Sequence, residues 1–265
     1  MLDIYLVQMA VVANNKAANF AKVRELAASI RKQDDSVSGL VILPEMFATG
    51  YLPLHPESAA ENFSTKDSGE TAQFLYELAN QTGCAVMGAG ISFATGAESA
   101  KSKVLLNHSS VYLPGNPKEH AYYDKRRPFF MEQGKFSAGE KVNLFKIENW
   151  NTASTICFDL RFPELYRDAV KVGARLITVQ AAWPAARIAH WKTLLQARAI
   201  ENQVYIAAVN VCGDSAYGGN SMIVDPKGEI LAQADEKTEC IIHARIESAP
   251  QEEYRQKFPV LREIL

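Results

Sequence analysis

The chain has no apolar run that approaches the roughly 20 residues of a transmembrane helix. It also lacks, near its first residue, the basic segment and apolar core that are typical of a secretory signal. Neither sign of charge is in excess, because 28 lysines and arginines face 30 aspartates and glutamates. A nucleic-acid-binding surface and an acidic tail are therefore not indicated. We expect a cytoplasmic protein that binds neither nucleic acid nor a membrane.

Cysteine is scarce and widely scattered, at Cys84, Cys157, Cys212 and Cys240. The sequence contains no C-x-x-C pair and no histidines at zinc-ligand spacing, so it predicts neither a structural metal site nor a disulfide-rich secreted scaffold. A reducing compartment fits this pattern. We expect Cys84, Cys212 and Cys240 to be thiols of the core.

The length of 265 residues, 48% of them hydrophobic, suits one large α/β domain, which we expect to span residues 1–265. Apolar runs typical of buried strands alternate with stretches of helical spacing, and this order occurs twice. The predicted strands are 2–12, 40–43, 84–93, 105–112, 154–157, 175–182, 204–211, the two strands of a hairpin within 222–231, and 240–246. One predicted helix begins near residue 15, and three more cover residues 70–80, 163–172 and 187–203.

Cys157 lies where a β-branched strand tail is expected to end, and Pro163-Glu164 shortly after it is a good first turn for a helix. A thiol at such a corner stands clear of the sheet, next to backbone N–H groups that can bind a developing negative charge. The alternative is a buried structural cysteine, which is common. Asp159 and Arg161 in this corner either pair with each other or contact a substrate.

Two further segments carry charged residues at positions that suit a site. Glu45 directly follows the strand 40–43 and Pro44, and open α/β sheets bind their ligands at such strand ends. Residues 120–140 show no clear period although they contain Lys125 and Glu132, and a long irregular segment in a compact domain is more often functional than idle. Taken singly, Glu45 and Lys125 are more typical of solvated surface charges.

Taken in order, Pro44-Glu45-Met46, Tyr123-Asp124-Lys125-Arg126 and the run from Cys157 to Glu164 resemble the nitrilase (carbon–nitrogen hydrolase) superfamily. The resemblance covers nearly the whole chain. Further landmarks are Ala189-His-Trp-Lys, Gln196-Ala-Arg-Ala-Ile-Glu-Asn202 and Ser221-Met-Ile-Val-Asp-Pro-Lys-Gly228. The Leu-Arg-Phe-Pro-Glu run after Cys157 and the pair Trp183-Pro184 are most similar to the omega-amidase-like branch of small amidases.

This resemblance implies a four-layer α-β-β-α sandwich with its site at the carboxyl ends of the central strands. It implies no cofactor and no metal. The implied catalytic residues are Glu45, Lys125 and Cys157, with Glu132 orienting Lys125 and the substrate. The implied substrate-binding residues are Phe158, Arg161 and Trp183. His190 is not needed as a base, and we expect it to pack a helix against the sheet together with Trp191.

The chemistry of amide hydrolysis explains this combination. An amide carbonyl is a poor electrophile, and a free cysteine with a pKa of about 8.5 is only slightly ionised at neutral pH. Lys125 is expected to favour the thiolate of Cys157 and to bind the oxyanion together with the backbone N–H of Phe158. Glu45 is expected to accept the thiol proton, deliver it to the leaving amine and later activate water to hydrolyse the thioester.

The sequence predicts an amidase that hydrolyses a small linear amide and releases ammonia. The preferred substrate is the ω-amide of an α-keto acid. An N-carbamoyl amine hydrolase, a deaminated-glutathione amidase and a nitrilase remain alternatives with the same mechanism. A rival from another class is a non-catalytic binding or thiol redox-sensing protein on the same fold. We also expect a homodimer or higher homo-oligomer, with the C-terminal segment, residues 247–265, at a subunit interface.

Overall fold

The computed structural model describes residues 1–30, 39–94, 104–213 and 216–263. The strands in these ranges are β1 Leu2–Gln8, β2 Gly39–Ile42, β3 Ala85–Phe93, β4 Leu105–Tyr112, β5 Ala121–Asp124, β6 Leu144–Ile147, β7 Trp150–Ile156, β8 Leu176–Ala181, β9 Tyr205–Asn210, β10 Met222–Val224, β11 Ile230–Gln233 and β12 Cys240–Ile246. The α-helices are α1 Lys16–Ala27, α2 Pro56–Ala59, α3 Glu70–Thr82, α4 Pro163–Lys171, α5 Ile188–Asn202 and α6 Ser248–Lys257.

The strands form two six-stranded sheets of similar design. The first has the order β12-β1-β2-β3-β4-β5 and the second the order β11-β10-β9-β8-β7-β6. In each sheet the three strands of the βαβ pattern run parallel, β1 to β3 in the first and β7 to β9 in the second. The outer strands pair antiparallel. The carboxyl ends of the parallel strands therefore share one edge in each sheet, which is where we expected the site.

Apolar residues on both faces of the strands produce four layers. Leu2, Ile4 and Leu6 of β1 join a core that also contains Leu176 and Ala207 of the second sheet, so this core lies between the sheets. Val7, on the opposite face of β1, packs in a core with residues of α1 and α3. The helices α4 and α5 cover the outer face of the second sheet in the same way. The α-β-β-α sandwich that the sequence predicted is confirmed.

Local signals in the sequence account for several helix ends. The side chain of Asn15 accepts a hydrogen bond of 3.0 Å from the backbone N–H of Ala18 and so caps α1. Gly83 ends α3 with a φ of 71°, a conformation that suits glycine. Pro163 occupies the first turn of α4, where its missing N–H costs no hydrogen bond. These three boundaries agree with the predicted ones.

The predicted strand 2–12 was too long, since β1 ends at Gln8. The reason is that the chain then leaves the sheet, and the backbone N–H of Val12 donates to the side chain of Asn19 at 2.8 Å. Cys84 and Cys212 are buried, as expected, whereas Cys240 is only partly buried because β12 is the edge strand of its sheet.

The C-terminal segment packs on its own chain. Gln251 of α6 is buried and donates to the backbone carbonyls of Arg175 and Gln203, at 2.9 and 3.1 Å. Leu261 reaches the core of the second sheet, whereas Phe258 is exposed. Within the ranges given above, no helix combines the length and apolar character needed to cross a membrane.

Candidate active site

Cys157 lies at a sharp corner between strand and helix. It follows the last residue of β7 and begins a short 3₁₀ helix, Cys157–Arg161, that leads into α4. Its backbone φ of 46° is left-handed, which costs a non-glycine residue about 1–2 kcal/mol. Such strain is often found where a side chain must be presented in one direction. The structure therefore has the strand-to-helix corner that the sequence predicted.

Asp159 supports this corner from inside. Its carboxylate accepts hydrogen bonds from the backbone N–H groups of Ile156 and Arg127, at 3.0 and 2.9 Å, and from the hydroxyl of Tyr123 at 2.8 Å. Burial raises the pKa of Asp159 to about 6, although the hydrogen bonds oppose this shift. The 3₁₀ turn directs the carboxylate inwards and leaves Arg161 in the pocket outside, so the alternative that Asp159 pairs with Arg161 is wrong.

Glu45 is fully buried three residues beyond β2. Its Oε1 accepts hydrogen bonds from Lys125 Nζ at 2.9 Å and from Asn107 Nδ2 at 2.8 Å. Its Oε2 accepts one from the backbone N–H of Ala182, at 3.0 Å, just beyond the end of β8. The next residue, Met46, has a φ of 49° and so marks a second strained turn at the site. The carboxylate is thus held by donors from both sheets.

Lys125 directly follows β5, which itself was not predicted. Its ammonium group lies 2.9 Å from Glu45 and 2.9 Å from Glu132, and the side chain is 1% exposed. Its backbone N–H donates to the carbonyl of Asn107, and its own carbonyl accepts from Gly139. A β-carbon at Gly139 would collide with the backbone of β5, so glycine permits this close approach. One buried cation thus bridges two buried carboxylates.

Glu132 belongs to a turn that closes over Lys125. Its Oε2 accepts a hydrogen bond of 2.6 Å from the backbone N–H of Phe129, and its Oε1 accepts from Lys125 at 2.9 Å and from Asn107 at 3.0 Å. Glu132 is fully buried. This placement beside Lys125 is the one that the resemblance implied.

Sequence reasoning missed Asn107, although its side chain contacts both carboxylates. The available signal was four consecutive polar residues, 107–110, inside an otherwise apolar strand. The next residue, His108, is also buried, with Nδ1 2.7 Å from Asp124 and Nε2 2.9 Å from Glu119. These contacts raise the pKa of His108 to about 9, although burial alone would lower it. His108 and Asp124 are a paired position of β4 and β5, so the resulting imidazolium joins the strands beside Asn107 and Lys125.

The protonation of the site differs from the expected thiolate. Burial, and next the charge of Glu45, raise the pKa of Cys157 well above its usual value. Lys125 lowers that pKa, as expected, but does not outweigh the other two causes. Burial lowers the pKa of Lys125, yet Glu45, Cys157 and Glu132 together raise it above its usual range. The resting site is therefore a thiol that faces a carboxylate, with a charged ammonium beside it.

A small pocket of about 40 Å³ lies over Cys157. The three predicted substrate-binding residues, Phe158, Arg161 and Trp183, all line it. Sequence reasoning did not identify Tyr51, Phe129 and Arg187, which line it as well. Loop side chains of this kind have no local period or motif that would indicate their direction. The pocket is mostly apolar and has cationic groups on its walls.

Arg161 is fixed against an aromatic ring. Its guanidinium lies 4.8 Å from the ring centroid of Trp183 and 3.3 Å from Nδ1 of His190. The expectation for Trp191 is met, since it is buried and donates from Nε1 to the carbonyl of Asn220. The same expectation is wrong for His190, which is exposed and turned towards Arg161 because it lies on the outer side of α5.

Within the described ranges, no three histidine, cysteine, aspartate or glutamate side chains are arranged to hold a metal ion. The polar groups of the site instead bond one another, through Lys125 and Asn107. What this arrangement can do chemically is transfer a proton from the thiol of Cys157 to Glu45 while a fixed positive charge stabilises the anion that forms.

Comparison with known proteins shows which family this chain resembles. The model of the carbon-nitrogen hydrolase family matches residues 4–256. Omega-amidase YafV of Yersinia enterocolitica is 32% identical to this chain, over 99% of the chain and 96% of that protein. 2-oxoglutaramate amidase of Paenarthrobacter nicotinovorans is 34% identical, over 92% of the chain and 82% of that protein. Among solved structures, a CN-hydrolase superfamily protein of Xanthomonas campestris with an arsenic adduct in its active site superposes with a TM-score of 0.86, at 28% identity over 99% of this chain and 96% of that one.

Proposed function

Because the chain belongs to the carbon–nitrogen hydrolase family, we propose that it hydrolyses the terminal amide of a small linear substrate through a thioester on Cys157. The observation that carries this proposal is the buried contact set of one ammonium, two carboxylates and one thiol. A protein that only folds gains little from it, since a buried ion pair is weak evidence for stability. A nucleophilic thiol needs both a base and a fixed positive charge, which this set supplies.

In the first half of the reaction, Glu45 accepts the proton of the Cys157 thiol while the sulfur attacks the amide carbon. The C–S bond forms and the carbonyl becomes an oxyanion, which Lys125 and the backbone N–H of Phe158 stabilise. The C–N bond then breaks as protonated Glu45 returns its proton to the leaving ammonia. Glu132 holds Lys125 in place during these steps through its 2.9 Å contact.

In the second half, Glu45 removes a proton from a water molecule that attacks the thioester. The C–S bond breaks, the sulfur regains its proton and the substrate leaves as a carboxylic acid. The same base acts in both halves. This sequence fits a resting thiol better than a resting thiolate, because the raised pKa of Cys157 leaves the proton available for transfer to the leaving group.

We propose the ω-amide of an α-keto acid as the substrate. The names of the two enzyme relatives, omega-amidase and 2-oxoglutaramate amidase, support this class. The small volume over Cys157 suits an unbranched amide end, and Arg161 suits a carboxylate at the other end. The thiol redox-sensing alternative is less well supported, since sensor cysteines are exposed and have a lowered pKa, whereas Cys157 is buried and has a raised pKa.

The test is ammonia release from a panel that contains 2-oxoglutaramate, an N-carbamoyl amine, deaminated glutathione and a short nitrile. The proposal expects the highest kcat/KM for 2-oxoglutaramate and an acyl adduct on Cys157 by intact mass spectrometry. Cys157→Ala is the control and should form no adduct. If the nitrile or the carbamoyl amine were preferred by tenfold or more, the substrate proposal would be wrong and the thioester mechanism would stand.

We also propose that the chain is a single hydrolase domain, since one core contains residues of both sheets. A homodimer is a further proposal, supported by the exposed apolar side chain of Phe258 in the C-terminal segment. Light scattering during size-exclusion chromatography tests it, with Phe258→Glu as the variant that should shift the mass towards a monomer. The four cysteines are free thiols, which supports the proposal of a cytoplasmic location.

A further inference from the structure

Two arginines, Arg161 and Arg187, line the pocket over Cys157, and they lie close enough for the charge of Arg187 to act on Arg161. Both side chains are half-buried. The ion pairs of the described residues include neither of them, so two partly desolvated positive charges lie in one apolar pocket without a carboxylate partner. Such an arrangement is unusual, because a charge that leaves water is normally paired.

The other arginines near Lys125 differ in this respect. Arg126 forms a 3.0 Å ion pair with Asp168, and Arg127 forms a 3.2 Å ion pair with Glu164. Both carboxylates lie on α4, so these two arginines connect the segment after β5 to a helix. Arg126 and Arg127 each have a carboxylate partner within the fold, whereas neither pocket arginine has one among the described residues.

Trp183 fixes both pocket arginines. The face of its ring lies under the guanidinium of Arg161, and its Nε1 donates a hydrogen bond of 2.8 Å to the backbone carbonyl of Arg187. The backbone N–H of Arg187 in turn donates to the carbonyl of Pro184 at 3.0 Å. His190 Nδ1 lies within 3.4 Å of both terminal nitrogens of Arg161. One buried indole therefore packs against the guanidinium of Arg161 and holds the backbone of Arg187.

The two charges also disfavour each other. Burial lowers the pKa of Arg161, and the charge of Arg187 lowers it further. Like charges held close together in a pocket are relieved when an anion binds between them. Glu45 and Glu132 lie below the pocket and are already bonded to Lys125 and Asn107. Among the described residues, no carboxylate is therefore left to pair with the two guanidiniums, and a bound ligand can supply the anion.

We propose that Arg187 acts together with Arg161 as a two-guanidinium clamp for the carboxylate end of the substrate, while the amide end lies over Cys157. This inference rests on the proposed amidase function and adds a specificity-determining residue to it. Cys157 and both arginines line the same pocket, so an amide end over Cys157 leaves the rest of a linear substrate beside the arginines. The half-buried arginines lie on its walls, where the rest of a linear substrate must pass.

The clamp favours an α-keto acid over an α-amino acid. A carboxylate and an adjacent keto oxygen offer several acceptors in one plane, which match the planar forks of two guanidiniums. The ammonium group of an α-amino acid would instead face two positive charges. We therefore expect 2-oxoglutaramate to bind and L-glutamine, which has the same chain length and the same amide, to be rejected.

The test is equilibrium binding to the Cys157→Ala enzyme by calorimetry, with 2-oxoglutaramate, L-glutamine and the neutral amide pentanamide as ligands. In this background, Arg187→Gln should raise the Kd of 2-oxoglutaramate about 10- to 100-fold, the usual effect of losing a charge-assisted hydrogen bond. The Kd of pentanamide should change less than twofold. Arg187→Lys should show an intermediate loss, because a point charge replaces a fork. Arg262→Gln, an exposed C-terminal change, is the control and should alter neither Kd.

Unchanged affinity for 2-oxoglutaramate in Arg187→Gln, or an equal loss for pentanamide, would overturn the clamp. The same holds if L-glutamine binds as tightly as 2-oxoglutaramate. These outcomes are separable from failure of the proposed function, which is measured as ammonia release by the enzyme with Cys157 intact. An enzyme that hydrolyses neutral amides and ignores Arg187 would keep the mechanism and lose the clamp. An enzyme that binds 2-oxoglutaramate through Arg187 but releases no ammonia would keep the clamp and lose the mechanism.

Discussion

The side-chain nitrogen of Asn107 lies 2.8 Å from Oε1 of Glu45, and the same nitrogen lies 3.0 Å from Oε1 of Glu132. Lys125 Nζ contacts the same two oxygens at 2.9 Å each. An amide and an ammonium thus form two parallel bridges between the carboxylates. Because like charges so close together repel each other, the separation of the two carboxylates depends on both donors.

Asn107→Ala should therefore lower kcat by about 10- to 100-fold, the range expected for loss of a hydrogen bond to a charged group. KM should change little, since Asn107 lies below the pocket and does not line it. Asn107→Asp should be more severe because it adds a third carboxylate. Steady-state kinetics check both. Ser110→Ala on the same strand is the matched control, since this hydroxyl is buried and has no hydrogen-bond partner among the described residues. Equal kcat values for Asn107→Ala and Ser110→Ala would contradict the role given to the amide.

Glu45→Gln should make the Cys157 thiol more acidic. Burial and the charge of Glu45 both raise the pKa of Cys157, whereas Lys125 lowers it and remains in the variant. The midpoint of the pH dependence of iodoacetamide alkylation should therefore move to lower pH, while ammonia release is lost. Mass spectrometry of pH-jump samples measures this midpoint. A midpoint that stayed in place or rose would show that Glu45 does not set the proton affinity of the thiol.

The sequence predicted the parts of this site that local strand patterns determine, and it predicted less where a residue's position depends on pairing between distant segments. Glu45 and Cys157 follow apolar strands directly, so strand patterns placed each of them at a strand end, where open α/β sheets bind ligands. The resemblance then brought the two together. Lys125 was indicated by its place in an irregular segment, and its role came from the resemblance. It follows β5, a four-residue strand too short to show alternation and defined by its pairing with β4.

Other residues were missed because their roles depend on the direction in which their side chains point. Asn107 lies in a predicted strand, but which face of the strand meets the site depends on packing between the sheets. Arg187 lies in a short turn before α5, and no period indicates that it points into the pocket. The pairing of Asp159 with Arg161 was wrong because the 3₁₀ turn directs the carboxylate to the backbone N–H of Ile156, which the residue spacing does not reveal.

The strained backbone at Cys157 leads to a test that separates catalysis from stability. Cys157→Ala and Cys157→Gly should both lose activity by at least about 10³-fold, as expected when a nucleophile is removed. Glycine adopts a φ of 46° without the steric cost that alanine retains. Cys157→Gly should therefore be more stable than Cys157→Ala by roughly 1 kcal/mol. Urea denaturation measures the difference, and the reverse order would show that the corner is not strained.

His108 should make stability depend on pH between 6.5 and about 9. Its folded pKa is raised above the unfolded value, so the imidazolium stabilises the fold fully below pH 6.5, and this contribution is lost as the pH rises through about 9. The full effect is on the order of 3 kcal/mol. The difference in unfolding free energy between wild type and His108→Gln should shrink over this window. Subtracting the variant removes the other groups that titrate there, and a constant difference would mean that His108 is neutral in the fold.

Lys125→Met should lower the stability of the fold, and adding Glu45→Gln should restore part of it. Lys125→Met leaves two buried carboxylates without their cation, which should cost about 3–5 kcal/mol at neutral pH. Part of this loss should return as the pH falls, because burial already raises the pKa of Glu132 and protonation removes the repulsion. Adding Glu45→Gln to Lys125→Met removes one of the two charges. The double variant should therefore be more stable than Lys125→Met alone, although both have lost residues of one site.

The kinetic part of this cycle has a different form. Glu45 moves the proton and Lys125 stabilises the oxyanion in the same chemical steps, so each single variant should lose nearly as much kcat as the double. Chemical denaturation at pH 5 and pH 7, with ammonia release on the same four proteins, gives both cycles. If the double variant were the least stable of the four, the carboxylates would not repel each other across the lysine. If the two rate losses multiplied, base and cation would contribute independently to the transition state, and the view of Glu45 and Lys125 as one unit would be wrong.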